Sequence, residues 1–126
     1  GAIGLTPDGG LSWLLPRLVG LRKAQDIILT NRRIKADEAE AIGLVTRIVD
    51  DEALADEGLK AAAALADAPM AALAASRALL ADSFETGLET QLDRELRSMA
   101  RAGAGPESEE GLSALLAKRT ANFRGV

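Results

Sequence analysis

The sequence predicts a mainly α-helical chain with one or two short strands. Three observations carry that reading. Apolar residues recur at helical spacing through most of the chain, as at Leu88, Leu92, Leu96 and Met99. Glycine and proline punctuate those runs at Gly20, Gly43, Pro69 and the GAGP segment 103–106. Only residues 44–50, LVTRIVD, combine β-branched content with a period of two, in Val45, Arg47 and Val49.

The elements follow in order. Residues 1–10 hold four of the twelve glycines, and Pro7-Asp8-Gly9-Gly10 is strong turn punctuation, with Ile3 and Leu5 as the tail of a strand entering it. Leu11, Leu14, Leu15 and Leu18 then follow helical spacing, with Pro16 expected to kink or divide the run. A second helix runs from Leu21 to about Leu29, turning Ala24, Ile27 and Ile28 inward, and a short third one spans Ala36–Ile42 with Gly43 as its C-terminal cap. After the strand at 44–50, Asp50 or Asp51 caps a helix to about Ala66. Pro69 suits the first turn of the next helix, which ends near Ala81. Ser83 is placed to cap a long helix reaching about Ala102, and Pro106 or Ser108 opens a last one to about Arg119. A lone strand lacks a pairing partner, so its ladder hydrogen bonds must be met elsewhere.

Composition bounds the chemistry. A chain of 126 residues suits one domain. Its apolar share of 48% is ordinary, but it is mostly Ala and Leu, with Trp13, Phe84 and Phe123 as the aromatic residues. Such a core needs close helix packing. The absence of Cys excludes disulfides and thiol chemistry. The absence of His removes the usual general base, a Ser-His-Asp triad within this chain, and ordinary Cys/His zinc sites. A net charge of −4 argues against a nucleic-acid partner. No apolar run approaches the roughly 18 residues of a membrane span, and no secretory leader pattern is present. The expected setting is cytoplasmic, with no membrane partner and no metal.

Several residues have two readings. Asp8 precedes two glycines, so it reads either as the cap of the helix beginning near Leu11 or as a carboxylate held where the backbone can approach a ligand closely. Lys118, Arg119 and Arg124 form a local basic cluster, which would complement the dipole of the last helix or meet an anionic ligand. Trp13 reads as a packing residue or as the wall of a pocket beside the turn. Glu107, Glu109 and Glu110 open the last helix, where helix-dipole placement explains them. Arg32-Arg33 reads as a solvated turn.

Three segments carry a family resemblance. IGLTPDGGLSWLLPRLVG, residues 3–20, has a Gly-rich turn and then a helix ending in L-P-R-L-V-G. ILTNRRIKADEAEAIGLVTRIVD, residues 28–50, has an apolar helix end, a polar turn, a short A-x-E-A helix and then G-L-V. EEGLSALLAKRTANFRGV, residues 109–126, is similar to a closing E-G-x-x-A-F-x-x-K-R-x-x-x-F. In this order and spacing they resemble the C-terminal half of the enoyl-CoA hydratase/isomerase (crotonase) family, over essentially the whole chain.

The resemblance implies the C-terminal helical region of a crotonase-type α/β superhelix fold. Residues 1–50 would be the turn, helices and strand flanking the active site, and residues 51–126 a helical region for oligomerisation and CoA contact. It implies an acyl-CoA thioester substrate, with coenzyme A part of that substrate and no separate cofactor. The oxyanion hole comes from segments upstream in the family, so the chain alone is expected to be inactive. Asp8 falls where isomerase-type relatives carry a carboxylate facing the acyl chain, as acid/base, or as nucleophile in dehalogenase-type ones. Lys118 falls on the Lys that contacts the CoA phosphates. Leu115 stands where relatives often have Phe, leaving apolar contact alone, and Leu11 is assigned to substrate contact with it. Hydratase-type relatives use two glutamates, one upstream and one immediately before Gly1, and tend to have Gly where this chain has Asp8. That favours isomerase-like chemistry over hydration. The helices after Asp50 correspond to the region that relatives use for trimer contacts, which implies a homotrimer or hexamer. The same helices also fit a non-catalytic oligomerisation module.

Overall fold

The computed structural model describes residues 4–126, which fall into two compact units that divide after Leu54. Among the described residues there are seven α-helices and no strand.

The first unit holds α1 (Leu11–Val19), α2 (Leu21–Thr30) and α3 (Ala36–Ala41). The chain enters α1 through Gly9 at φ 58° and Gly10 at φ 85°, both in the left-handed region that a Cβ disfavours. Pro16 does not divide α1, which runs unbroken through it. Gly20, at φ 80° and ψ 154°, ends α1 and starts α2 in a conformation essentially reserved for glycine. Leu15 and Ala24 are buried, and Ile27 and Ile28 are half-buried on the same side of α2 as Ala24. The helical spacing thus named the inward face correctly.

The segment expected as a strand takes another course. Gly43 follows α3 at φ 75°, its N–H bonds to the Glu40 carbonyl, and the Leu44 N–H bonds back to Ala39. That pair is a Schellman C-cap, as the sequence suggested for Gly43. The Val45 N–H also goes to the Ala39 carbonyl, and the Ile48 N–H goes to the Glu40 carboxylate. These amides are engaged by α3, so residues 44–50 form no ladder. Leu5 is not in a strand either, and Ile3 lies outside the described residues.

In the second unit α4 (Leu54–Ala66) follows a 3-10 turn at Asp51–Ala53. Neither Asp50 nor Asp51 caps through its side chain; the Asp50 carbonyl accepts the Ala53 N–H instead. The chain then bends by 104° into α5 (Met70–Asp82), with Pro69 at the N-cap. Ser83 ends α5 and does not begin the next helix: its N–H bonds to Leu79 and its hydroxyl to the Leu80 carbonyl. Helix α6 starts only at Leu88, behind Gly87, and runs to Gly103. Thr86 and Gln91 bridge the gap, with the Gln91 amide donating to the Leu79 carbonyl at 3.0 Å. Helix α7 (Pro106–Leu116) has Pro106 at its first turn and stops three residues short of Arg119.

The apolar stripe of α6 faces outward among the described residues, with Leu88, Leu92, Leu96 and Met99 54–77% exposed. Toward α5, the Gln91 amide reaches the Leu79 carbonyl and Arg94 pairs with Asp82 at 2.8 Å. Ala114 on α7, 2% exposed, is the buried apolar residue of this unit. No single helix among the described residues is long and apolar enough to cross a membrane.

Candidate functional site

The sequence-predicted site residues divide between the two units: Asp8 and Leu11 in the first, Leu115 and Lys118 in the second.

Asp8 is exposed at the head of the double-glycine turn. Its carbonyl accepts the Leu11 N–H at 3.0 Å, and Gly10 occupies the N-cap of α1 with no side-chain cap. The Asp8 side chain therefore does not cap α1, and the residue's structural part in the turn is played by its carbonyl. A Cβ on Gly9 would meet nothing within 4 Å, so conformation, not space, requires glycine there. Leu11 opens α1 half-exposed beside the turn. Trp13 carries the Arg17 guanidinium over its ring, 3.8 Å from the centroid, and Arg17 also donates to the Trp13 carbonyl at 2.8 Å.

Arg32 is not a solvated turn residue. Its fork is bidentate on Glu38 at 2.6 and 2.8 Å, and its Nε donates to Asp26 at 2.8 Å. These bonds lock the end of α2 to α3. The Glu38 carboxyl is held below its usual range by the Arg32 hydrogen bonds, and the Arg32 guanidinium is raised by Glu38 and then Asp26.

In the second unit the basic cluster is dispersed. Arg119 makes a two-pronged bond to Glu110 at 2.6 and 2.8 Å. Arg124 pairs with Asp67, tying the tail to the end of α4. Of the three cations, Lys118 is the one without an ion-pair partner among the described residues. It is exposed and stands at φ 51°, a left-handed conformation uncommon for a lysine. The Lys118 N–H bonds to Leu115 and the Arg119 N–H to Ala114, a second Schellman turn with Lys where Gly is usual. Leu115, 72% exposed, lies three residues earlier, in the last turn of α7.

The acidic start of α7 has roles that dipole reasoning missed. Glu107 accepts the Ala71 and Ala72 N–H groups at 2.7 and 3.0 Å, capping α5 from 35 residues away. Glu110 also accepts the Asn122 N–H at 2.7 Å, and its carboxyl is lowered to about 2, first by Arg119 and then by that backbone bond. A groove of about 660 Å³ runs along this unit, lined by Met99, Ala102, Pro106 and Phe123 among others. Neither Lys118 nor Leu115 lines it. No group of three or more metal-ligating side chains is gathered among the described residues.

The enoyl-CoA hydratase/isomerase family model matches residues 2–126. The chain belongs to that family. It is 37% identical over 123 residues to the 1,2-epoxyphenylacetyl-CoA isomerase of Escherichia coli (strain K12), covering 98% of this chain and 47% of that protein. It is 35% identical over 121 residues to the crotonyl-CoA hydratase of Syntrophomonas wolfei, covering 96% of this chain and 46% of that one. Among solved structures, an enoyl-CoA hydratase/isomerase from Cupriavidus metallidurans CH34 superposes with a TM-score of 0.91 at 36% identity, over 98% of this chain and 47% of the other. The chain thus spans about half the length of these relatives. The helical architecture is that of the C-terminal region of the crotonase fold, as the family resemblance implied.

Proposed function

We propose that this chain is the C-terminal part of an acyl-CoA-processing enzyme that shifts a double bond or rearranges a ring by proton transfer, with Asp8 carrying the proton. The observation behind this reading is the Asp8 turn: an exposed carboxylate, followed by two left-handed glycines, that does not cap the helix behind it. Such a group can take a proton from one carbon of the acyl chain and return it to another, while backbone N–H groups of an oxyanion hole outside this chain hold the thioester oxygen. The naming of one relative as a 1,2-epoxyphenylacetyl-CoA isomerase supports the choice. Lys118, exposed and without an ion-pair partner, meets the CoA phosphates as a point charge, and Leu115 and Leu11 offer apolar contact. Coenzyme A enters as part of the substrate. The outward stripe of α6 supports association of the intact protein through this helix, and the family resemblance makes a homotrimer or hexamer the expected form.

Hydration is the second reading, favoured by the relative named crotonyl-CoA hydratase. The two separate in one experiment on the intact protein, using CoA thioesters of 2-enoyl, 3-enoyl and ring-epoxide acids. On the isomerase reading, Asp8→Asn lowers isomerisation by about a hundredfold or more, the scale of a positioned acid/base. Hydration that survives Asp8→Asn unchanged, with no isomerisation in wild type, supports the hydratase. The isolated 126-residue chain is expected to show neither activity.

A further inference from the structure

Lys118 adopts a conformation that a lysine does not choose unaided. The left-handed region costs an L-residue with a Cβ about 1–2 kcal/mol, and a Schellman turn normally relieves that with glycine. The neighbouring residues hold the turn in place. Glu110, one α7 turn before Ala114, takes the Arg119 guanidinium in a fork at 2.6 and 2.8 Å. The same Glu110 oxygen that accepts the 2.6 Å bond accepts the Asn122 N–H at 2.7 Å. Arg119 also donates to the Thr120 carbonyl at 3.2 Å. Glu110 therefore grips the chain on the C-terminal side of Lys118 at two points, one and four residues on, from the helix that ends before it. Lys118 has its backbone fixed on both sides while its ammonium stays unpaired among the described residues.

We propose that Glu110 is a positioning residue for the phosphate end of the CoA substrate: by gripping Arg119 and Asn122 it holds the left-handed turn that presents Lys118. The inference rests on Lys118 being the phosphate contact, and it adds that the contact depends on a carboxylate that never touches the ligand. A lysine on a loose turn would have to be ordered at each binding event, and ordering a long side chain and its backbone weakens binding. The clamp does that ordering in advance.

The test uses the intact protein and two substrates with the same acyl group, one on CoA and one on pantetheine, which lacks the nucleotide phosphates. The quantity read is the ratio of their KM values. Lys118→Ala and Glu110→Gln are each expected to shrink the wild-type ratio by about tenfold, the scale of one charge-assisted bond, by raising KM for the CoA substrate with kcat little changed. The double variant should lose no more than either alone, because both remove one interaction. A ratio that survives Glu110→Gln but collapses in Lys118→Ala overturns the clamp and leaves Lys118 as the contact. A ratio that survives Lys118→Ala overturns both. Equal losses on the two substrates in Glu110→Gln also overturn the inference, since they mark a general structural role. Should Glu110→Gln fail to fold, Arg119→Lys, which keeps the charge but not the fork, reads the same ratio, and an unchanged ratio there is decisive against the clamp.

Discussion

The turn before α1 and the turn after α7 both pass through left-handed backbone, and they do it by different means. At the first, Gly9 and Gly10 take φ 58° and 85°, and no side chain or ion pair is needed to keep them there. At the second, Lys118 takes φ 51° and is surrounded by an ion pair, a side-chain-to-backbone bond and two Schellman bonds. Glycine makes a conformation available; a residue with a side chain must be held in it. Where a chain carries that second, costlier arrangement, the side chain itself is the part to examine.

The comparison breaks most readily at the glycine end. Gly9→Val puts a β-branched residue at positive φ and should cost about 2 kcal/mol, within the range for a strained backbone position. A denaturation midpoint equal to wild type would show that the turn can be made another way. Lys118→Gly should move stability in the opposite direction and by less. Relief of about 1–2 kcal/mol of left-handed strain, less about 0.5–1 kcal/mol for glycine's extra freedom, leaves a gain of roughly 0.75 kcal/mol at the midpoints. That variant should be slightly more stable and yet lose the preference for CoA over pantetheine, a pairing that separates strain from function.

A third test lies in pH dependence. The folded Glu110 carboxyl lies at about 2, below its ordinary 4.5, so its bonds favour the charged form. Its contribution is fully present above pH 4.5 and is lost as the pH falls toward 2. The stability difference between wild type and Glu110→Gln should therefore narrow across that window and stay flat above it. A difference that is constant from pH 6 to pH 2 would place the effect of the substitution in packing and not in the charged clamp.

Much of the fold was legible because helix punctuation is local. Gly20, Gly43, Pro69 and Pro106 each mark a real boundary, and most helix ends fall within a residue or two of where periodicity put them. The errors share a cause, which is that side-chain and amide partners are chosen in three dimensions. Residues 44–50 have strand composition, but α3 claims the amides of Leu44, Val45 and Ile48. Ser83 looks like an N-cap and its hydroxyl finishes α5 instead. At the candidate site, Asp8 and Lys118 were visible in the motifs. The roles of Glu107 and Glu110 were not, because their partners lie 35 and 9–12 residues away. An E-x-x-E run before a K-R pair is the signal that could have suggested the second of these.

The Glu107 cap has a consequence for how the second unit opens. The first amides of a helix normally exchange with solvent through fraying that involves only that helix. Those of Ala71 and Ala72 are covered by a carboxylate from the first turn of α7, so they can be released only when that turn lets go. Two protons at the start of α5 thus report, by hydrogen exchange, on the integrity of a helix that begins 35 residues further along the chain.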